Sequence, residues 1–379
     1  MHLYFDHNAT SPVAPEVLRE LARDMAEVYG NASSIHYYGQ AARQKLEGAR
    51  RQVAQLIGCD AKEIVFTSGG TEADNLASLG TVPAGGHIVT STVEHPAVMN
   101  TCMHLEREGV AVTWLPVNAT GLVDPDDVRR ALRPQTALIS VMHANNETGV
   151  MQPIREIARV EREAGVAMHC DGVQTVGRMA LDVNELGVDL LSLSGHKFGA
   201  PKGVGALYVR RGVTVRPLLH GGRHERERRA GTENVPGAVS LGRAAALRTA
   251  AWQGLETLRD RLERGVQARV PGAVVIGAGS PRLGNTSNIR FEGVEGEAMV
   301  IGLDLRGFAV SSGSACSSGA VEPSHVLLAM GLSREQARSS VRFSLGPGNT
   351  VEQVDALMEA VGESAAHLRR ISPQVVAHA

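Results

Sequence analysis

The chain has 379 residues, 43% of them hydrophobic, and a formal net charge of -2. That length suits two domains of roughly 100–200 residues each, and the hydrophobic share excludes a disordered chain. The near-neutral charge gives no case for nucleic acid or an anionic membrane as main partner, and no window holds the ~18 consecutive apolar residues of a membrane span.

Leu3-Tyr4-Phe5 predicts a short strand leading into the polar loop Asp6-His7-Asn8-Ala9-Thr10. The opening MHLYFDHNATSP lacks the basic and apolar regions of a signal peptide, so a cytoplasmic protein is expected. Pro15 to Tyr29 predicts a helix with Val17, Leu18, Leu21 and Met25 on one face, ended by Gly30. NASSIHYYG, from Asn31 to Gly39, is a polar, aromatic loop, and Gln40 to Ile57 predicts a long helix closed by Gly58.

The first α/β signature follows. Glu63-Ile64-Val65-Phe66 reads as a strand, Thr67 to Glu72 as a small-residue turn, and Ala73 to Leu79 as a helix. Backbone N–H groups and a helix dipole at such a turn suit a phosphate, although Thr71 and Glu72 also suit an ordinary helix start. Further strands are expected at His87–Thr90, Val110–Val117, Thr136–Met142 and Val166–Cys170. Helices are expected near Pro96, over Gly121–Leu132 and over Ile154–Ala164. This alternation predicts a mostly parallel sheet with helices on both faces, in which ligands sit beyond the carboxyl ends of the strands. Thr71, His95, Asn145, Asp171 and Lys197 all fall at such ends.

The apolar run Val188–Leu193 passes into Ser194-Gly195-His196-Lys197, then a Gly-rich turn, then Gly205–Val209. A solvated lysine in a surface turn is the ordinary alternative. A lysine at the end of a buried strand instead loses its proton readily and can form a Schiff base with an aldehyde cofactor. Upstream, MHCDGVQTVG places Asp171 and Gln174. A pyridoxal phosphate (PLP) enzyme needs both a Schiff-base lysine and an acid on the pyridinium nitrogen.

His220 to Arg229 is a charged loop, and Val239 to Val270 reads as one long helical connector into a second domain. That domain is expected to hold strands near Val274–Ile276, Ser287–Phe291 and Ala309–Ser311, and helices near Gly296–Leu305 and Glu335–Ser340. A C-terminal helix is expected over Val351–Leu368. The expected domains are 15–255, and 1–14 with 256–379. SSGSACSSG, from Ser311 to Gly319, centres on the thiol of Cys316 and suits either a linker or a mobile nucleophile. Arg342 interrupts the apolar Ser340–Gly346 and needs an anion there, a substrate carboxylate or a structural salt bridge. Cys59, Cys102 and Cys170 are scattered and read as structural; without a C-x-x-C pair, neither a disulfide framework nor a metal site is expected.

Taken together, YFDHNATSPV, NASSIHYYGQAAR, FTSGGTEADN, VEHPAV, HANNETGV, HCDGVQTVG, SGHKFGAPKGVGALYV, RAGTEN, SSGSACSSG and VRFSLG span nearly the whole chain. In that order they resemble the cysteine desulfurases of the nitrogen-fixation and iron–sulfur cluster type, in the aminotransferase class V branch of fold-type I PLP enzymes. The resemblance implies a large domain with a mostly parallel sheet flanked by helices, plus a smaller α/β C-terminal domain.

It also implies roles. Lys197 would hold PLP as a Schiff base and move the Cα proton. Asp171 would pair with the ring nitrogen, Gln174 with the ring hydroxyl, and His95 would stack on the ring and assist acid–base steps. Gly70, Thr71, Ser194 and His196 would hold the phosphate, and Thr232 would reach the phosphate bound by the other copy of a homodimer. Asn145 and Arg342 would hold the carboxylate of L-cysteine. Cys316 would take the sulfur as a persulfide, release alanine, and pass the sulfur to an iron–sulfur scaffold or a tRNA-thiolation acceptor; a transient iron–sulfur ligand role is left open for it. The form of its loop resembles the long-loop group. Gly172-Val173 stands where many relatives carry two alanines, and Phe198-Gly199-Ala200 departs from the commoner order. The C-terminal tail does not match a scaffold-docking tail. A selenocysteine lyase or another fold-type I aminotransferase is the alternative within enzymes, and a catalytically silent scaffold-binding protein the alternative outside them.

Overall fold

The computed structural model describes residues 2–247, 249–312 and 322–371. Its main sheet runs Ile64–Thr67, Gly205–Val209, Leu190–Ser194, Ala167–Asp171, Thr136–Ser140, His87–Ser91, Ala111–Leu115. From Leu190–Ser194 to Ala111–Leu115 all neighbours pair in parallel, and Gly205–Val209 alone runs antiparallel to both of its neighbours. Every residue of Leu190–Ser194, Gly205–Val209 and His87–Ser91 is buried, as expected where helices cover both faces. Alternate residues face opposite layers. Val89, Ile139 and Leu191 pack with Val53 and Leu241 on one side, while Ile88, Leu138 and Leu190 pack with Leu76 and Cys102 on the other. The expected α/β class with a mostly parallel, helix-flanked sheet holds.

A second core lies around an antiparallel sheet of Ser340–Ser344, Thr286–Phe291 and Ala273–Val275. Phe5 is fully buried in it, and Leu3–Tyr4 pairs in parallel with Phe308–Ala309. From there the N-terminal loop crosses to the main sheet, where Ser11 N donates to His196 O at 2.8 Å and Ala14 N to Gly199 O at 2.9 Å. A small cluster of Val93, Val326, Leu327 and Met330 seats the short helix His325–Ala329 beside the turn that carries His95.

Several local expectations need correction. The helix expected from Gln40 begins at Tyr37, because the His36 side chain accepts from Gly39 N at 3.3 Å and caps it. The single helix expected over Val239–Val270 is broken into Val235–Leu247 and Leu255–Arg269, with Gly254 at φ 78° between them. The helix Pro15–Glu27 buries only part of its apolar stripe: Val17 is fully buried in the main core, while Leu18 is 58% and Met25 63% exposed. Its other inward residue is Asp24, which accepts from Lys45 at 3.0 Å and pairs with Arg243. The charged loop after His220 is mostly exposed but anchored at one residue. Glu225 is buried, takes a two-pronged contact from Arg50 at 2.6 and 2.7 Å, and accepts from Phe66 N at 2.9 Å. That anchoring holds Glu225, Arg226 and Glu227 at φ 45°, 58° and 66°, a conformation costly for side-chain-bearing residues.

Candidate active site

The parallel strands share one carboxyl-end rim, and the site is built there. Leu190–Ser194 ends in the turn Gly195–Lys197, which presents the lysine. Lys197 Nζ donates to the carbonyl oxygens of Asn8 at 2.6 Å and Ala9 at 2.8 Å. Burial first, then the nearby Arg178 and Arg342, push this amine down to about 7, against the pull of Asp171 and Asp6. Beside it, His196 Nδ1 lies 3.1 Å from Thr10 Oγ1, and burial lowers that ring to about 4, so it stays neutral.

The neighbouring strand Ala167–Asp171 ends at the acid. Burial raises the Asp171 carboxyl, while His95, the Val173 N–H at 2.8 Å and Lys197 draw it back. No Lys, Arg or His among the described residues forms an ion pair with it. Gln174 follows in the next turn. Its Oε1 accepts from Arg178 at 2.7 Å and its Nε2 donates to Asn8 O at 3.2 Å.

The strand Ile64–Thr67 feeds the 12-residue helix Gly70–Thr81, whose start lies beside Ser194. Close approach explains the glycines. A Cβ on Gly205 would sit 2.7 Å from Gly69 Cα, and one on Gly70 would sit 2.7 Å from Val173 Cγ2. Ser194 is buried and Thr71 is exposed at this helix start.

His95 caps the helix Pro96–Arg107, its Nδ1 accepting from Ala97 N at 3.1 Å. That bond leaves the ring proton on Nε2, so neutral His95 presents a donor. Burial lowers its pKa, then Asp171 raises it and Lys197 and His325 lower it. Behind it Glu94 is fully buried; Ser91 Oγ donates to it at 2.5 Å and Met142 N at 3.0 Å. Burial pushes that carboxyl up to about 8.

A cavity of about 520 Å³ joins Lys197, His95 and Gln174 to Arg342, Asn146 and His325. Arg342 has the structural salt bridge foreseen as one alternative: Nη2 donates to Asp6 at 2.7 Å and Nη1 to Asn146 O at 2.9 Å. Its buried Nε has no partner among the described residues. Asn145 is not on the cavity wall. Its amide donates to Val93 O at 3.0 Å and accepts from Glu147 N at 2.9 Å and Thr148 N at 3.0 Å, holding the loop. Thr232 lies exposed and away from the cavity, and Cys316 lies outside the described residues. A larger groove of about 640 Å³ beside Arg290 and Glu335 contains none of these groups.

Three wall or support residues escaped the sequence reading. Arg178 reaches Asn8, Gln174 and the Lys197 backbone. Glu147, raised to about 7 mainly by burial, accepts from Ser324 Oγ. His325 donates from Nε2 to Glu94 O at 3.0 Å, leaving its Nδ1 as a base. The signals were present in VQTVGR, NNETG and EPSHV, but each reads equally well as a helix end or a loop. Among the described residues, no group of three or more His, Cys, Asp or Glu is placed to hold a metal ion.

Comparison with known proteins agrees with this fold. The aminotransferase class-V family model matches residues 3–357. A cysteine desulfurase IscS of Methanosarcina thermophila is 48% identical, over 98% of this chain and 94% of the relative. A cysteine desulfurase of Cereibacter sphaeroides is 49% identical, over 98% and 97%. Among solved structures, a NifS-like protein superposes with a TM-score of 0.89 at 37% identity, covering 97% of this chain and 100% of the other. SspA in complex with cysteine gives a TM-score of 0.82 at 36% identity, covering 92% and 99%. The rim of lysine, acid and glycine-led helix thus stands on a shared fold over almost the full length, and the chain belongs to the aminotransferase class-V family, within its cysteine desulfurases.

Proposed function

We propose that the chain is a PLP-dependent L-cysteine desulfurase that releases L-alanine and keeps the sulfur as a persulfide on Cys316. The observation that carries the reading is the Lys197 amine, depressed to about 7 and held at a strand end beside a buried Asp171 that forms no ion pair among the described residues. The site fits PLP on that ground: a protonated ring nitrogen is the cation Asp171 lacks, and the glycine-led helix start beside Ser194 suits a phosphate. Lys197 would hold the cofactor, Asp171 its ring nitrogen and Gln174 its ring oxygen. Gly70, Thr71, Ser194 and His196 would hold its phosphate, joined by Thr232 of a second copy. When bound, PLP supplies the electron sink that lets the substrate's Cα proton leave and its C–S bond weaken.

The chain's own groups do the rest. The neutral Lys197 amine takes and returns the Cα proton. Arg342, which lines the cavity, would face the substrate carboxylate, while Asn145 supports the loop that carries Asn146. His95 offers its Nε2–H as an acid. The Cys316 thiolate bonds to the substrate sulfur as the C–S bond breaks. The electron pair of that bond and the proton pass to Cβ, so thiol plus cysteine gives persulfide plus alanine.

Exposed Leu18, Met25, Tyr29, Ile35 and Tyr37 around the first helix and the following loop suit a homodimer interface. Residues 15–255 would carry the cofactor, and 1–14 with 256–379 the Arg342 strand and the Cys316 segment. No helix among the described residues is long and apolar enough to cross a membrane, and a cytoplasmic enzyme feeding an iron–sulfur scaffold or tRNA-thiolation acceptor is the reading we favour.

The test is alanine and sulfide release from L-cysteine by the PLP-loaded protein with reductant. One alanine per sulfide, nearly lost in Cys316→Ala, supports the reading. Equal turnover by Cys316→Ala would point to a lyase, and turnover of selenocysteine alone to the selenocysteine-specific alternative.

A further inference from the structure

Arg178 is 6% exposed, and among the described residues no carboxylate acts on it. Burial and the neighbouring Arg342 push it down from the ordinary arginine range, yet a guanidinium keeps its proton at neutral pH. A buried cation without a counter-ion is costly and needs a reason. All of its donors go to neutral acceptors around one point. Nη1 donates to Asn8 Oδ1 and Gln174 Oε1, both at 2.7 Å; Nη2 donates to His7 O at 2.7 Å and Lys197 O at 3.1 Å; Nε donates to Lys197 O at 3.2 Å. Its plane lies over Trp252, 4.6 Å from the ring centroid.

We propose that Arg178 is a positioning residue for the reaction: its fork fixes the Gln174 amide with the –NH2 toward the cofactor's ring oxygen and keeps a permanent positive charge beneath the Lys197 turn. The inference rests on the PLP reading above and deepens it. The amide orientation follows from chemistry on both sides. Arginine can only donate, so Gln174 Oε1 must face it; Asn8 O can only accept, so Nε2 must face that carbonyl. One Nε2 hydrogen remains, and Gln174 lines the cavity. A donor on the ring oxygen and a cation below the lysine act in the same direction. Both disfavour the protonated form of the nitrogen that joins Lys197 to the cofactor. The other charged or titratable groups facing Lys197 are Arg342 on the same side of the balance, Asp171 and Asp6 against it, and the neutral His196 and His95.

The test is a pH titration of the visible absorption of the PLP-loaded protein, with Arg178→Met, Arg178→Lys, Gln174→Ala and the Arg178→Met/Gln174→Ala double variant. Arg178→Met should raise the midpoint by roughly one pH unit, and the shift should shrink in the Gln174→Ala background. Arg178→Lys keeps the charge and loses the fork, so it should raise the midpoint less, and only while Gln174 is present. If Arg178→Met does not fold, Arg178→Lys in the two backgrounds carries the test. Midpoints unmoved in variants that bind PLP normally would overturn this inference alone. A wild-type protein that gives no borohydride-reducible PLP band would overturn the cofactor reading as well.

Discussion

The Lys197 amine and the Asn8 carbonyl oxygen stand 2.6 Å apart, although 189 residues separate them in sequence. Arg178, Gln174 and Asn285 also converge on Asn8, whose side chain spans to Thr286 at 2.9 Å. The N-terminal loop is therefore a wall of the site. Asn8→Ala would strip several buried hydrogen bonds at once. It should destabilise the protein by about 2–3 kcal/mol and loosen PLP, measured by denaturant unfolding and PLP titration. A neutral substitution would contradict the wall role.

The Asp171 carboxylate accepts a single hydrogen bond, from Val173 N, and forms no ion pair among the described residues. Asp171→Asn keeps the shape and removes the charge. Alanine release should fall roughly a hundredfold or more with the thermal midpoint little changed, because the electron sink weakens while packing stays. Loss of folding in parallel with loss of rate would instead assign Asp171 a structural role.

Glu94 provides a pH prediction. Its folded carboxyl is raised from 4.5 to about 8, chiefly by burial. Between those pH values the folded protein keeps a proton that the unfolded chain releases, so the group's contribution to stability falls as pH rises. Glu94→Gln cannot ionise, and its oxygen can still accept from Ser91 and Met142. Its stability advantage over wild type should be absent near pH 4.5 and grow to about pH 8, by at most about 1.4 kcal/mol per pH unit. Melting curves across that range check it, and an advantage that shrinks with rising pH would contradict it.

Gly70 and Val173 provide a packing prediction. A Cβ on Gly70 would meet Val173 Cγ2 at 2.7 Å, with Ser194 Cβ next at an ordinary 3.5 Å. Gly70→Ala should therefore weaken PLP binding about tenfold by shifting the helix start, and Val173→Ala in the same chain should restore most of it. Failure of the second change to rescue the first would locate the cost elsewhere.

The sequence revealed the site wherever an apolar run ended in one chemically distinct residue, as at Asp171 and Lys197, because a buried strand leaves few roles for a polar group at its tip. Orientation was less visible. Leu18 and Met25 share a stripe with Val17, yet only Val17 of the three is buried, and Asp24 is drawn inward beside it by Lys45 and Arg243 from other helices. The break at Gly254 was hidden inside a helical composition. Asn145 stood at a strand end as expected, but its amide is taken up by its own loop. Arg178 escaped because an arginine after Gly177 reads as a solvated helix end; only the tertiary fold shows five neutral acceptor contacts around it.

The most direct measurement is the location of sulfur after the PLP-loaded protein meets one equivalent of L-cysteine without reductant, read by mass spectrometry of the peptide containing Cys316. The account predicts one extra sulfur atom on Cys316, one alanine released, and Cys59, Cys102 and Cys170 unmodified; burial raises the thiol pKa of all three. Alanine released with Cys316 unmodified, or sulfur carried by another cysteine, would contradict it.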